Sequence, residues 1–87
     1  MASYTIAYTK QAEKTLRKIP AGIAKSIRYK IEKIAENPFG AHSDVTKLQN
    51  REGYRLRVGD WRIIYEVQQD RVSILVLKIG LRGEVYR

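Results

Sequence analysis

Seven of the nine arginines fall after Asn50, at positions 51, 55, 57, 62, 71, 82 and 87. Arg55 and Arg57 are two residues apart, and Arg62 follows beyond Gly59-Asp60. A guanidinium is a planar fork of donors that grips phosphate oxygens in pairs. Metal-assisted phosphoryl chemistry would instead need clustered carboxylates or histidines. The nine carboxylates here are scattered, and the one histidine, His42, reads as a loop residue rather than a general base. There is no cysteine to act as nucleophile or thiolate ligand. Glycine-rich phosphate loops, nucleophile elbows and dinucleotide fingerprints are missing too, since Gly80-x-x-Gly83 is too short to count. No cofactor is expected.

Arginines with a tyrosine can perform metal-free cleavage of RNA. The 2′-hydroxyl of the RNA attacks the adjacent phosphate, while guanidinium groups stabilise the charge that develops on phosphorus. Tyr86 is the candidate to take the hydroxyl proton, because neighbouring cations favour its phenolate. Arg82 is the candidate to face the scissile phosphate or the leaving 5′-oxygen. Such a site lacks a strong acid–base pair. It works best when a partner presents the RNA already bent for in-line attack.

The elements that must position these groups follow from the turn. With glycine first in a two-residue connection, Gly59-Asp60 fits a type II′ hairpin turn between strands 54–58 and 61–67. Val58 then faces Trp61, Arg57 faces Arg62, Leu56 faces Ile63, and Arg55 faces Ile64. Side chains alternate across a strand, so Tyr54, Leu56, Val58, Trp61, Ile63, Tyr65 and Val67 share the core face. Arg55, Arg57 and Arg62 share the other. Two arginines directly opposite are unfavourable without a counter-charge, and an anion between them would supply it.

The rest of the chain builds the support. Tyr4–Tyr8 reads as a first strand. Thr9 caps a helix with Ala12, Leu16 and Ile19 on one face, and Pro20 falls in the first turn of a second helix. That helix carries the stripe Ile23, Ile27, Ile31 and Ile34 and ends at Asn37-Pro38. Its lysines lie off the stripe, as a solvated face. Residues 39–52 read as a loop, and a third C-terminal strand spans 72–79, apolar on both parities and therefore central. Gly80 ends it. The order β-α-α-β-β-β predicts an α+β fold: an N-terminal strand, a helical hairpin and a three-stranded antiparallel meander in one sheet, with both helices on one face. Eighty-seven residues make one domain, 1–87.

Net charge is +8 and the pI is near 10.0, which favours anionic partners. Residues 1–46 and 47–87 each carry +4, so the C-terminal part stands out by its arginines, not by its net charge. The longest apolar run, Ile74–Leu77, is far short of the roughly 18 residues that a membrane span needs. No membrane partner is expected. The first residues show no secretory pattern, so the expected location is cytoplasmic.

The run Gly53-Tyr54-Arg55-Leu56-Arg57-Val58-Gly59-Asp60-Trp61-Arg62-Ile63-Ile64-Tyr65-Glu66-Val67, with Gly80-Leu81-Arg82 and Glu84-Val85-Tyr86, resembles the RelE branch of the RelE/ParE toxin superfamily. Lys47-Leu48 before that run fits as well, although the basic residue that often follows is here Gln49. The resemblance implies the toxin of a type II toxin–antitoxin pair, acting as a ribosome-dependent endoribonuclease on mRNA in the decoding site. It implies Arg62, Arg82 and Tyr86 as catalytic residues, and Arg55, Arg57 and Lys47 as RNA contacts. Its partners would be a cognate antitoxin, the ribosome and mRNA. Two other readings remain open from the sequence. One is a ParE-like inhibitor of DNA gyrase, and the other is a basic RNA- or protein-binding module without chemistry.

Overall fold

Thr9 closes the first strand and opens the first helix. Its hydroxyl oxygen accepts from the Ala12 N–H at 3.2 Å and donates to the Leu77 carbonyl at 2.6 Å. The computed structural model describes residues 3–83. Strand β1 (Thr5–Tyr8) leads into helices α1 (Lys10–Lys18) and α2 (Ala21–Glu36). Strands β2 (Val45–Lys47), β3 (Tyr54–Val58), β4 (Trp61–Gln68) and β5 (Ser73–Leu81) follow, with a 3-10 turn at Gln69–Arg71. The strands form one sheet in the order β1-β5-β4-β3-β2. β1 runs parallel to β5, and every other neighbour is antiparallel. The α+β class and the helical hairpin match the sequence expectation, with one strand more.

Both helices lie on one side of the sheet because their apolar stripes have one place to go. Ala12, Leu16 and Ile19 join Ile27, Ile31 and Ile34 in a core with Leu56, Ile63, Tyr65, Ile74, Val76 and Ile79. Fully burying an isoleucine contributes roughly 1.5–3 kcal/mol. Three on α2 therefore outweigh that helix's lack of a side-chain cap at Pro20. Pro20 sits just before the helix rather than in its first turn, and its carbonyl accepts from Ile23 and Ala24.

Two expectations need correction. The segment read as a loop contains β2, whose three residues carry no hydrophobic alternation and gain their strand geometry from pairing with β3. The last strand does not end at Gly80. Arg62 pairs with Gly80 and Trp61 with Leu81, so the β4 ladder carries β5 one residue further.

β5 also bulges. Ile64 pairs with Lys78 but Tyr65 pairs with Val76, which leaves Leu77 as an extra residue. Beyond β1, the edge of β5 is closed by a side chain: the Gln11 amide donates to the Ile79 carbonyl and accepts from the Ile79 N–H, both at 3.1 Å.

Candidate active site

The β3–β4 hairpin has the register that its turn dictates. Arg57 pairs with Arg62, Arg55 with Ile64, and Val58 with Trp61. Gly59 has φ +58°, the sign that the first position of a II′ turn requires, and Asp60 is not in the positive-φ region. Leu56, Ile63 and Tyr65 are buried on the helix side. Arg55, Arg57 and Arg62 thus share the opposite face.

Arg62 and Arg57 are held differently. The Arg62 Nη1 donates to the Gly59 carbonyl at 2.8 Å and to the Trp61 carbonyl at 2.9 Å. The guanidinium is thereby fastened to the turn by neutral acceptors that leave its charge intact. The Arg57 Nη2 stands 3.4 Å from Asp44 Oδ1, and its side chain is 61% exposed. Asp44 in turn accepts from Lys30 Nζ at 2.5 Å, through its other oxygen. That hydrogen bond, then the lysine charge, hold the Asp44 carboxyl below the usual carboxylate range.

Arg82 is brought to the same end of the sheet by the ladder. Its backbone N–H donates to the Asp60 carbonyl at 2.9 Å, one step beyond the Trp61–Leu81 pair. The alternation that sets Gly80 beside Arg62 therefore sets exposed Arg82 beside the turn on the arginine face. Gly80 adds no side chain between them.

Lys47 stands apart from this group. It pairs with Tyr54 and so projects on the helix side of the sheet, at the β2 edge. Tyr86 lies outside the described residues. Tyr65 is no substitute for it, because its ring stacks on Tyr54 at 5.5 Å in the core and burial pushes its hydroxyl above the ordinary tyrosine range. His42 Nε2 is 2.7 Å from the Asn37 carbonyl and belongs to the loop.

Lys78 is a cation that the sequence reading missed. Without the bulge it would share the core side with Val76; with Leu77 extra, it lines up with Ile64 on the arginine face. Ile64 is 3% exposed although it belongs to that outer face, flanked in register by Arg55 and Lys78. A run apolar on both parities gives no sign of a bulge, so the sequence carried no signal for this placement. Asp44 was missed too, since its approach to Arg57 depends on the pairing of β2.

Five cations thus gather along one face: Arg55, Arg57, Arg62, Lys78 and Arg82. Among the described residues, no group of three histidines, cysteines or carboxylates is arranged to hold a metal, and no helix is long and apolar enough to cross a membrane.

Comparison with known proteins agrees with this architecture. Residues 6–86 match the family model described as the ParE toxin of the type II toxin–antitoxin system parDE. The putative toxin RelE1 of Methanocaldococcus jannaschii is 29% identical over 86 residues, covering 97% of this chain and 96% of that protein. The mRNA interferase toxin RelE of Escherichia coli K12 is 23% identical, covering 97% of this chain and 90% of that protein. The crystal structure of the archaeal RelE–RelB complex from Pyrococcus horikoshii contains a chain that superposes with a TM-score of 0.81 at 28% identity, covering 97% of this chain and all of that one. The chain belongs to the RelE/ParE superfamily of type II toxin–antitoxin toxins, in its RelE-like branch.

Proposed function

We propose that the protein is a ribosome-dependent mRNA endoribonuclease that needs no metal. The observation that carries this reading is the directly opposed pair Arg57 and Arg62, with Arg55 on the same face and Arg82 alongside the turn. Like charges set opposite each other oppose folding. A site for phosphate gives that arrangement a use.

In the proposed reaction the 2′-oxygen forms a bond to phosphorus as the bond to the 5′-oxygen breaks. The products are a 2′,3′-cyclic phosphate and a 5′-hydroxyl. Tyr86 takes the 2′-hydroxyl proton as its phenolate. Arg62, fixed on the turn carbonyls, and Arg55 and Arg57 along β3 stabilise the charge on the phosphorane oxygens. Arg82 stabilises the leaving oxygen, which takes its final proton from solvent, because a guanidinium scarcely gives one up. The ribosome supplies alignment, by holding the mRNA in the decoding site in a bent path.

A cognate antitoxin is the natural partner of such a protein. RelE and RelB are found together in the Pyrococcus horikoshii complex. Here Tyr29, Phe39 and Leu81 are left 59%, 54% and 43% exposed, apolar surface that a folding antitoxin segment would cover.

The test is expression in a translating extract with RNA ends mapped, with and without a chelator. New ends in ribosome-bound mRNA, unaffected by chelator and lost in Arg62→Ala and Tyr86→Phe, are expected. Cleavage unchanged in both variants would reject the mechanism. Intact mRNA, with gyrase supercoiling of added plasmid DNA inhibited, would point instead to gyrase.

A further inference from the structure

Asp44 is a carboxylate that bonds to a member of the arginine group, Arg57, and the contact is lopsided. Lys30 Nζ sits 2.5 Å from Oδ2, whereas Arg57 Nη2 reaches Oδ1 only at 3.4 Å, close to the outer limit of a hydrogen bond. The carboxylate is thus anchored from the helix side and lends its second oxygen to Arg57. Its main chain is fixed as well, because the Asp44 carbonyl accepts from the Arg57 N–H at 2.9 Å. Asp44 side-chain exposure is 29% against 61% for Arg57, so the acid is the fixed member and the guanidinium the movable one. A carboxylate offers the same paired-oxygen geometry as a phosphodiester.

We infer that Asp44 is a placeholder for phosphate: it holds Arg57 in the ligand-free protein and yields that guanidinium to an incoming RNA backbone. The inference rests on the proposal that the arginine face binds RNA. It assigns Asp44 a positioning role and no part in the bond-breaking step. The Lys30 anchor keeps the displaced carboxylate from following Arg57 onto the ligand. The exchange is graded by ordinary ion-pair strength, so the acid raises the threshold for binding without closing the site.

The test is a double-mutant cycle read as the affinity of the purified protein for a 2′-O-methyl oligoribonucleotide, which binds but cannot be cleaved. Asp44→Asn should tighten binding about two- to fivefold, the span of an exposed ion pair. In an Arg57→Ala background the same substitution should give no more than the generic gain from removing one negative charge. Glu13→Gln measures that generic gain, since Glu13 pairs with Arg17 at 2.6 Å within α1. Equal gains from Asp44→Asn with and without Arg57, or a gain no larger than that of Glu13→Gln, would overturn the placeholder role. Arg57→Ala without any effect on affinity would instead reject RNA binding at this face, and so would undetectable binding by every variant at low salt. Thermal melts of each variant confirm that the fold is retained.

Discussion

Arg57 and Arg62 face each other directly across the β3–β4 hairpin, and their guanidinium groups are held by different partners. Arg62 is pinned to the Gly59 and Trp61 carbonyls, while Arg57 leans toward Asp44. One cation is thus fixed at the turn and the other is held more loosely, toward Asp44. A fixed donor suits the transition state, since it needs no reorganisation when charge develops. A movable donor suits capture of the backbone.

Arg62→Lys should therefore be almost as damaging as Arg62→Ala. An ammonium keeps the charge but cannot hold two turn carbonyls through one arm of a rigid fork and present the other. A loss of about 10²–10³ in single-turnover cleavage on programmed ribosomes is expected for both, the usual range for one stabilising donor. A lysine variant with near-normal turnover would mean that charge alone suffices.

The five cations of the outer face should set the salt dependence of the proposed RNA binding. If each neutralises one phosphate of a single strand, log Kobs should fall against log salt with a slope of about −3.5, from roughly 0.7 per contact. Arg57→Ala and Lys78→Ala should each reduce that slope by about 0.7. Lys47→Ala should leave it unchanged, because Lys47 projects on the other side of the sheet. A slope change for Lys47→Ala equal to that of Arg57→Ala would show RNA wrapping around the β2 edge.

The sequence reveals some of this arrangement and hides the rest for identifiable reasons. A two-residue turn leaves the hairpin a single pairing, so the opposition of Arg57 and Arg62 could be read from Gly59-Asp60 alone. The isoleucine stripe of α2 was equally plain, because Ile27, Ile31 and Ile34 recur at helical spacing. The bulge at Leu77 left no such mark. In Ile74-Leu75-Val76-Leu77 both faces are apolar, so nothing in residue type fixes where the alternation slips. Lys78 consequently changed faces unseen. β2 was hidden because Val45-Thr46-Lys47 is strand-like only against β3, and Asp44 meets Arg57 only once that pairing exists.

Asp44 also predicts an acid-range signature. Its carboxyl is held below the usual range by the Lys30 hydrogen bond and charge, so folding favours the ionised form. The stabilisation is fully present above the unfolded value of about 3.9 and is lost as pH falls through the lower folded value. Wild type should exceed Asp44→Asn in urea midpoint at pH 6, and the gap should close as pH drops below about 4. A gap of the same size at pH 6 and at pH 2.5 would show that the carboxylate charge contributes nothing.

Val72 tests the connection that delivers β5 to the sheet. It follows the 3-10 turn with φ +48° and ψ +51°, a left-handed conformation that crowds a β-branched side chain. Its side chain gains little in return, since the residue is 46% exposed. The backbone there is nonetheless committed: the Val72 N–H donates to the Gln69 carbonyl, and the Val72 carbonyl accepts from Thr5, the first residue of β1. A left-handed L-residue costs roughly 1–2 kcal/mol, and glycine loses about 0.5–1 kcal/mol more chain entropy on folding. Val72→Gly should therefore stabilise the protein by up to about 1 kcal/mol and raise its melting temperature by several degrees. RNA binding should not change, because the substitution lies at the opposite end of β4 from Arg62. A lowered melting temperature would mean that the valine side chain packs well enough to outweigh its backbone strain.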